Sequence, residues 1–177
     1  RERLGDARTR HELATAPGIE AFYSEERLKV TTPEGASFQV RAIQGDLAPF
    51  PVKIEEGRLL RPGSMEAIAG RGLLNWLGLQ VGDWLTATLE GKESRPVTWQ
   101  IVGQYPEPAD MGRMLTVNLE PLRRLAPAAD PRVYYLKLRP GSDPILLEER
   151  LESGANADLS LALVEERIPD DVRYLQL

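Results

Sequence analysis

The sequence predicts an α+β fold in two lobes. Three observations carry this reading. Apolar and polar residues alternate in paired runs around residues 19–44 and 84–102, which is the strand period. Short segments of helical period separate these runs. Proline-bearing stretches at residues 45–51 and 127–131 interrupt both patterns and read as lobe joints. One lobe is then built from both chain ends, residues 1–49 and 132–177, and a small α/β lobe rich in hairpin strands, residues 50–131, is inserted between them.

Residues 1–16 read as a polar helix in which Leu4, Ala7, Leu13 and Ala14 are the sparse apolar positions, ended by Pro17-Gly18. A strand follows over residues 19–32, with a bend at Glu25-Glu26. Pro33-Glu34-Gly35 turns the chain into a strand over 37–44, where Phe38, Val40 and Ala42 oppose Gln39 and Arg41, giving a long hairpin with one wet face. Residues 65–69 are a short apolar run ending at Gly70, as suits a buried strand. Residues 71–77 place Leu73, Leu74 and Leu77 on one helical face with Trp76 beside them, and Gly78 stops the helix because glycine alone takes the left-handed cap cheaply. Leu85, Ala87 and Leu89 then alternate with Trp84, Thr86 and Thr88. After a glycine-bearing turn at 90–93, Val97, Trp99 and Ile101 alternate with Thr98, Gln100 and Val102, which is a hairpin pattern. The central core is expected to rest on Leu73, Leu77, Leu85 and Ile101.

Residues 106–113 read as an irregular loop and 114–117 as a short strand, after which Asn118 is placed to cap a helix carrying Leu119, Leu122 and Leu125. Residues 132–139 form a strand with Tyr134, Leu136 and Leu138 on one face. Asp143-Pro144 opens a helix, aspartate as cap and proline at the first helical position, with Ile145, Leu146, Leu147 and Leu151 as its apolar face and Gly154 as its end. Leu159, Leu161 and Leu163 alternate in a last strand. Joined, the two ends make a split βαβ pattern lacking its first strand.

Composition bounds the function. A hydrophobic share of 42% allows a chain of 177 residues to bury a core. The net charge of −5 argues against a nucleic-acid partner, whose phosphates demand a basic surface. With no cysteine, disulfides, thiol catalysis and cysteine-ligated zinc are excluded. No run approaches the ~20 apolar residues of a membrane helix, and the opening Arg-Glu-Arg-Leu is not a signal peptide.

The stretch 56–105 carries a family pattern: Glu56-Gly57-Arg58, a short strand with an acidic residue at Glu66-Ala-Ile-Ala69, a helix ending Leu-Gly-Leu-Gln-Val-Gly-Asp over residues 77–83, and a hairpin whose second strand ends Ile101-Val102-Gly103. In order and spacing it resembles the MacB-like periplasmic core domain of FtsX-type ABC transporter permeases, and the layout of the flanks matches too. The resemblance implies a porter-like lobe made from both chain ends and an inserted α/β lobe. It implies a non-enzymatic extracytoplasmic domain, held between transmembrane helices of a membrane-anchored permease, that couples cytoplasmic ATP hydrolysis to substrate export or to a partner outside the membrane. The implied partners are a cytoplasmic ATPase, a second permease copy, and an adaptor or substrate protein. The alternative reading is a free-standing extracytoplasmic protein-binding module.

The residues themselves point to no reaction centre. His11, the single histidine, sits on the polar helix and reads as a solvated surface group. The adjacent pairs Glu55-Glu56, Glu148-Glu149 and Glu165-Glu166 do not converge, because neighbours in sequence point apart on helices and strands alike. The glycines form no phosphate cradle and there is no Walker lysine, so no cofactor is expected and ATP would be held by another subunit or domain. Trp76, Trp84 and Trp99 read chiefly as core; Trp84 shares a strand face with Thr86 and is the one with an interface reading. Met111, Arg113 and Met114, in and beside the glycine-containing loop, read either as a surface loop or, with Trp84, as partner contacts.

Overall fold

The computed structural model describes residues 2–90, 94–123, 133–152, 162–164 and 174–176. The chain forms two compact units, Arg1–Glu25 with Asp130–Leu177, and Glu26–Ala129. The strand β1 (Ile19–Thr31) runs through the first division point.

In the central unit six strands close on themselves. The end of β1 pairs with β5 (Trp84–Leu89) at Val30–Leu89 and Thr31–Thr88. Next come β6 (Pro96–Tyr105), antiparallel to β5, and β4 (Glu66–Gly70), parallel to β6. Then β7 (Met114–Asn118) lies antiparallel to β4, and β2 (Ser37–Gln44) parallel to β7. Finally β2 pairs with β1, so the ring has no outermost strand. A two-residue strand, β3 (Glu56–Gly57), adds to β6 beside this ring.

The ring is filled by the alternation seen in the sequence. Leu85, Ala87, Leu89, Val97, Trp99 and Ile101 are all buried in one cluster with Phe38, Val40, Leu115 and Val117. Ala42, Ala67, Ala69 and Ala87 are small enough to leave room for the indole of Trp99, which is 1% exposed. The helix α2 (Arg71–Leu77) adds Leu73 and Leu74 to this core. Gly78 ends it at φ 67, its amide bonded to the carbonyl of Leu74.

In the outer unit the first part of β1 pairs antiparallel with β8 (Val133–Leu138), from Ile19–Leu138 to Glu25–Val133. A strand β10 (Tyr174–Gln176) lies antiparallel between β8 and β9 (Ala162–Val164). The helices α1 (Glu2–Thr15) and α3 (Pro144–Glu152) bring Leu13, Leu147 and Leu151 onto Ile19, Tyr134, Leu136 and Leu138. As expected, Asp143 caps α3: its carboxylate accepts the amide of Ile145 at 2.9 Å.

Four expectations are corrected. Residues 26–49 belong with the central unit, because Phe38, Val40 and Ala42 are buried in its core and β2 is held by β7, a parallel partner more than seventy residues away in the chain. Residues 45–51 therefore do not join the units; they form a turn in which Asp46 accepts the amide of Ala48 at 2.8 Å while Leu47 and Phe50 are buried. Leu77 is half-buried, and Leu74 holds the core position instead, since Leu77 is the last helical residue before the cap. Ile145 and Leu146 are exposed, because only Leu147 and Leu151, four residues apart, share the inward face of α3. The joint at 127–131, the turn residues 91–93 and Leu125, Gly154, Leu159, Leu161, Glu165 and Glu166 lie outside the described residues.

A testable difference follows from α2. Leu73→Ala should destabilise the protein by about 2–5 kcal/mol, and Leu77→Ala by less than about half of that, because only the first leaves a cavity in a closed core. Urea melts of the two variants check it; equal losses would contradict this placement of the core.

Candidate partner-contact surface

The motif Glu56-Gly57-Arg58 has a structural task. Gly57 stands at φ 76, and a Cβ there would lie 2.2 Å from the carbonyl oxygen of Val102. This close approach delivers Arg58 to Glu66, the first residue of β4. Arg58 donates to the two carboxylate oxygens at 2.9 and 2.7 Å. Arg61 adds its side chain at 3.0 and 2.6 Å and its backbone amide at 2.9 Å. The hydrogen bonds from Arg58, and after them those from Arg61, hold the buried Glu66 carboxyl far below the usual carboxylate range. Asn118, expected to cap a helix, instead ends β7 and donates to the carbonyls of Arg61 and Ser64, both at 2.8 Å, so it fixes the same turn.

The loop after β6 is fixed from within. Glu107 accepts from Arg41 at 2.8 Å, from the Tyr105 hydroxyl at 2.8 Å and from the amide of Ala109 at 2.9 Å. Burial pushes the Tyr105 phenol well above its ordinary pKa, so it stays protonated and able to donate. The loop then makes a tight turn, Ala109–Gly112, in which Asp110 (φ 49) and Met111 (φ 56) take left-handed backbone that non-glycine residues seldom adopt. It lies directly on α2. A Cβ at Gly70 would meet the carbonyl oxygen of Gly112 at 2.2 Å, and one at Gly72 would meet that of Met111 at 2.0 Å. The outcome is a rigidly held tip with Met111 77% exposed.

Trp84 and Met111 thus stand at the surface as partner-contact candidates. Arg113 is half-buried, its guanidinium 4.7 Å from the centroid of the Trp76 ring. Met114 is corrected: it is fully buried, because it opens β7, all five of whose residues are buried. Trp99 is core, as expected, whereas Trp84 is 63% and Trp76 40% exposed. Trp76 meets Phe38 edge-on, with ring centroids 6.4 Å apart.

Two depressions flank α2. The first is lined by Trp76, Leu77, Leu79, Trp84, Leu85 and Thr86, and by Thr32, Pro33, Glu34 and Ala36 of the β1–β2 turn. The second is lined by Arg71, Gly72, Asn75 and Met111 with Glu55 and residues 106–108 and 112; its rim holds an Arg71–Glu55 ion pair at 2.5 Å. Among the described residues no three histidine, cysteine, aspartate or glutamate side chains are grouped to hold a metal ion, and no helix is long and apolar enough to cross a membrane. Trp76, which the sequence pattern assigns to the core, is the surface residue that pattern misses. Three residues after Leu73 and near the end of a two-turn helix, it stands at the border of the buried face, where its ring packs on Phe38 and stays partly exposed.

The chain has the fold of extracytoplasmic domains of ABC transporter permeases. The periplasmic region of MacB from Actinobacillus actinomycetemcomitans superposes with a TM-score of 0.59 at 14% identity, over 85% of this chain and 72% of that one. The extracellular domain of the noncanonic ABC-type transporter YknZ from Gram-positive bacteria does so with a TM-score of 0.56 at 12% identity, over 81% and 74%. The MacB-like resemblance read from residues 56–105 is borne out in the fold. No protein-family model and no curated protein matches the sequence.

The clamp on Glu66 gives a pH prediction. Its folded pKa lies below its unfolded one, so its contribution is complete above the unfolded value and is lost as pH falls below it. Glu66→Gln should destabilise by about 1.5–3 kcal/mol at neutral pH and flatten the loss of stability on acidification, as read from denaturant melts between neutral and acid pH. An unchanged acid limb would contradict the clamp. Gly72→Ala should cost about 1–3 kcal/mol by pushing the loop off α2, and should also raise protease cleavage within residues 106–113. A variant as stable and as protected as the parent would show that the loop does not rest there.

Proposed function

We propose that this chain is a non-catalytic extracytoplasmic domain of an ABC transporter permease subunit, on the outer side of the cell membrane. It couples ATP hydrolysis by a cytoplasmic ATPase subunit or domain to substrate export or to a partner outside the membrane. The observation that carries this reading is the agreement of two likenesses: the residue pattern of 56–105 and the fold over most of the chain.

In this reading the outer unit, drawn from both chain ends, serves as the porter-like lobe. The parallel strands β8 and β9 with α3 between them in sequence, and β10 between them in space, support that assignment. The six-stranded ring serves as the inserted lobe and presents Trp84, Met111 and Arg113 to a second permease copy, an adaptor or a substrate protein. A packed ring suits the transmission of force, because dense cores resist deformation. The free-standing binding module remains the alternative, and the exposed tryptophan pair would serve it equally.

Membrane fractionation of the native full-length gene product separates the two. The expected result is a product in the membrane fraction that co-purifies in detergent with an ATP-hydrolysing subunit or carries that domain itself. A soluble secreted product with neither property would contradict the proposal.

A further inference from the structure

The groove between the β1–β2 turn, the end of α2 and the start of β5 carries chemistry of its own. Two indoles, Trp76 and Trp84, line it with Pro33, Leu77 and Leu79. Among its described lining residues the one charged side chain is Glu34, which is exposed and takes part in no described ion pair. An indole face is a negative quadrupole, so the open indole of Trp84 beside the exposed Glu34 carboxylate favours a cation over an anion. The protein already displays this affinity internally, since the Arg113 guanidinium lies over Trp76. Trp84 has no such partner among the described residues: it makes no ring or cation contact there.

We propose that this groove is a docking site for an extended basic peptide segment of a protein partner. A lysine or arginine stands over the Trp84 indole within reach of Glu34, and the neighbouring aliphatic side chain rests on Pro33, Leu77 and Leu79. Charge complementarity selects this occupant: the lining offers a carboxylate and the open π-face of Trp84, and the cation beside it, Arg113, is already seated on Trp76. Apolar lining gives the segment a dry footing, while the exposed rim keeps the cation partly hydrated, so binding is salt-sensitive. The inference does not depend on the transporter reading, because a free-standing module with the same groove would bind the same segment.

Fluorescence anisotropy on the isolated chain tests it, with fluorescein-labelled decapeptides of alternating valine and arginine, valine and glutamate, or valine and glutamine. The arginine peptide should bind saturably, at least about tenfold tighter than the other two, corresponding to about 1.4 kcal/mol. Trp84→Ala should weaken it about tenfold or more, and Glu34→Gln several-fold, with far-ultraviolet circular dichroism unchanged because both side chains are exposed. Glu149→Gln, an equal charge removed from an exposed position in the outer unit, should leave affinity unchanged. The proposal is overturned if the arginine peptide does not bind, if all three peptides bind alike, or if Glu149→Gln weakens binding as much as Glu34→Gln does.

Discussion

Closure of the central ring depends on a short junction. The pairing of Val30 with Leu89 and Thr31 with Thr88, extended by the amide of Glu90 donating to the carbonyl of Lys29 at 3.0 Å, joins the end of β1 to the end of β5. Without it the six strands would form an open sheet in which β5 and the end of β1 were each hydrogen-bonded on one flank only. With it, the inward residues of every strand face one another and exclude water around Trp99 and Ile101. Two of the ring's pairings are parallel, β2 with β7 and β4 with β6, and parallel neighbours need long connections. Those connections carry the Glu66 clamp, α2 and the loop that holds Met111 at the surface.

The surface features follow from this. Tyr105 and Thr116 come from β6 and β7, and with Glu107 and Arg41 they lock the loop base. Gly70 and Gly72, at the junction of β4 and α2, let the loop backbone come within a distance that any side chain would block. The left-handed backbone at Asp110 and Met111 is tolerated because the surrounding contacts determine it from several sides. A rigid tip on one side of α2 and an aromatic groove on the other are both ways of presenting apolar surface at low conformational entropy.

Local elements are legible in the sequence because their signals are local. The run from β4 through α2 and Gly78 to the β5–β6 hairpin follows from period and glycine alone, and the structure has it in that form. Asp143 before Pro144 likewise identifies the start of α3. Partnership across long separations is what the sequence does not display. Nothing in residues 37–44 says that β7 is their neighbour, so the pattern alone assigns residues 26–49 to the wrong unit. The clamp is half-visible: Glu66 stands out as an acidic residue opening an apolar strand, but its arginines reach it only through the turn at residues 61–64. Met111 and Met114 look equivalent beside a glycine. Met114 begins a buried strand and Met111 tops the loop, which is a difference of register rather than composition.

The ring must therefore be closed and act as one cooperative body. Amide hydrogen exchange under native conditions tests this most directly, because amides that open only with global unfolding share its free energy. The amide of Glu90 and those of the last residues of β1 should exchange at the rate of the β6 amides near Ile101. If the β1–β5 junction exchanges early while β6 stays protected, the ring is open in solution, and the placement of the clamp, the loop tip and the groove on a single rigid frame is wrong.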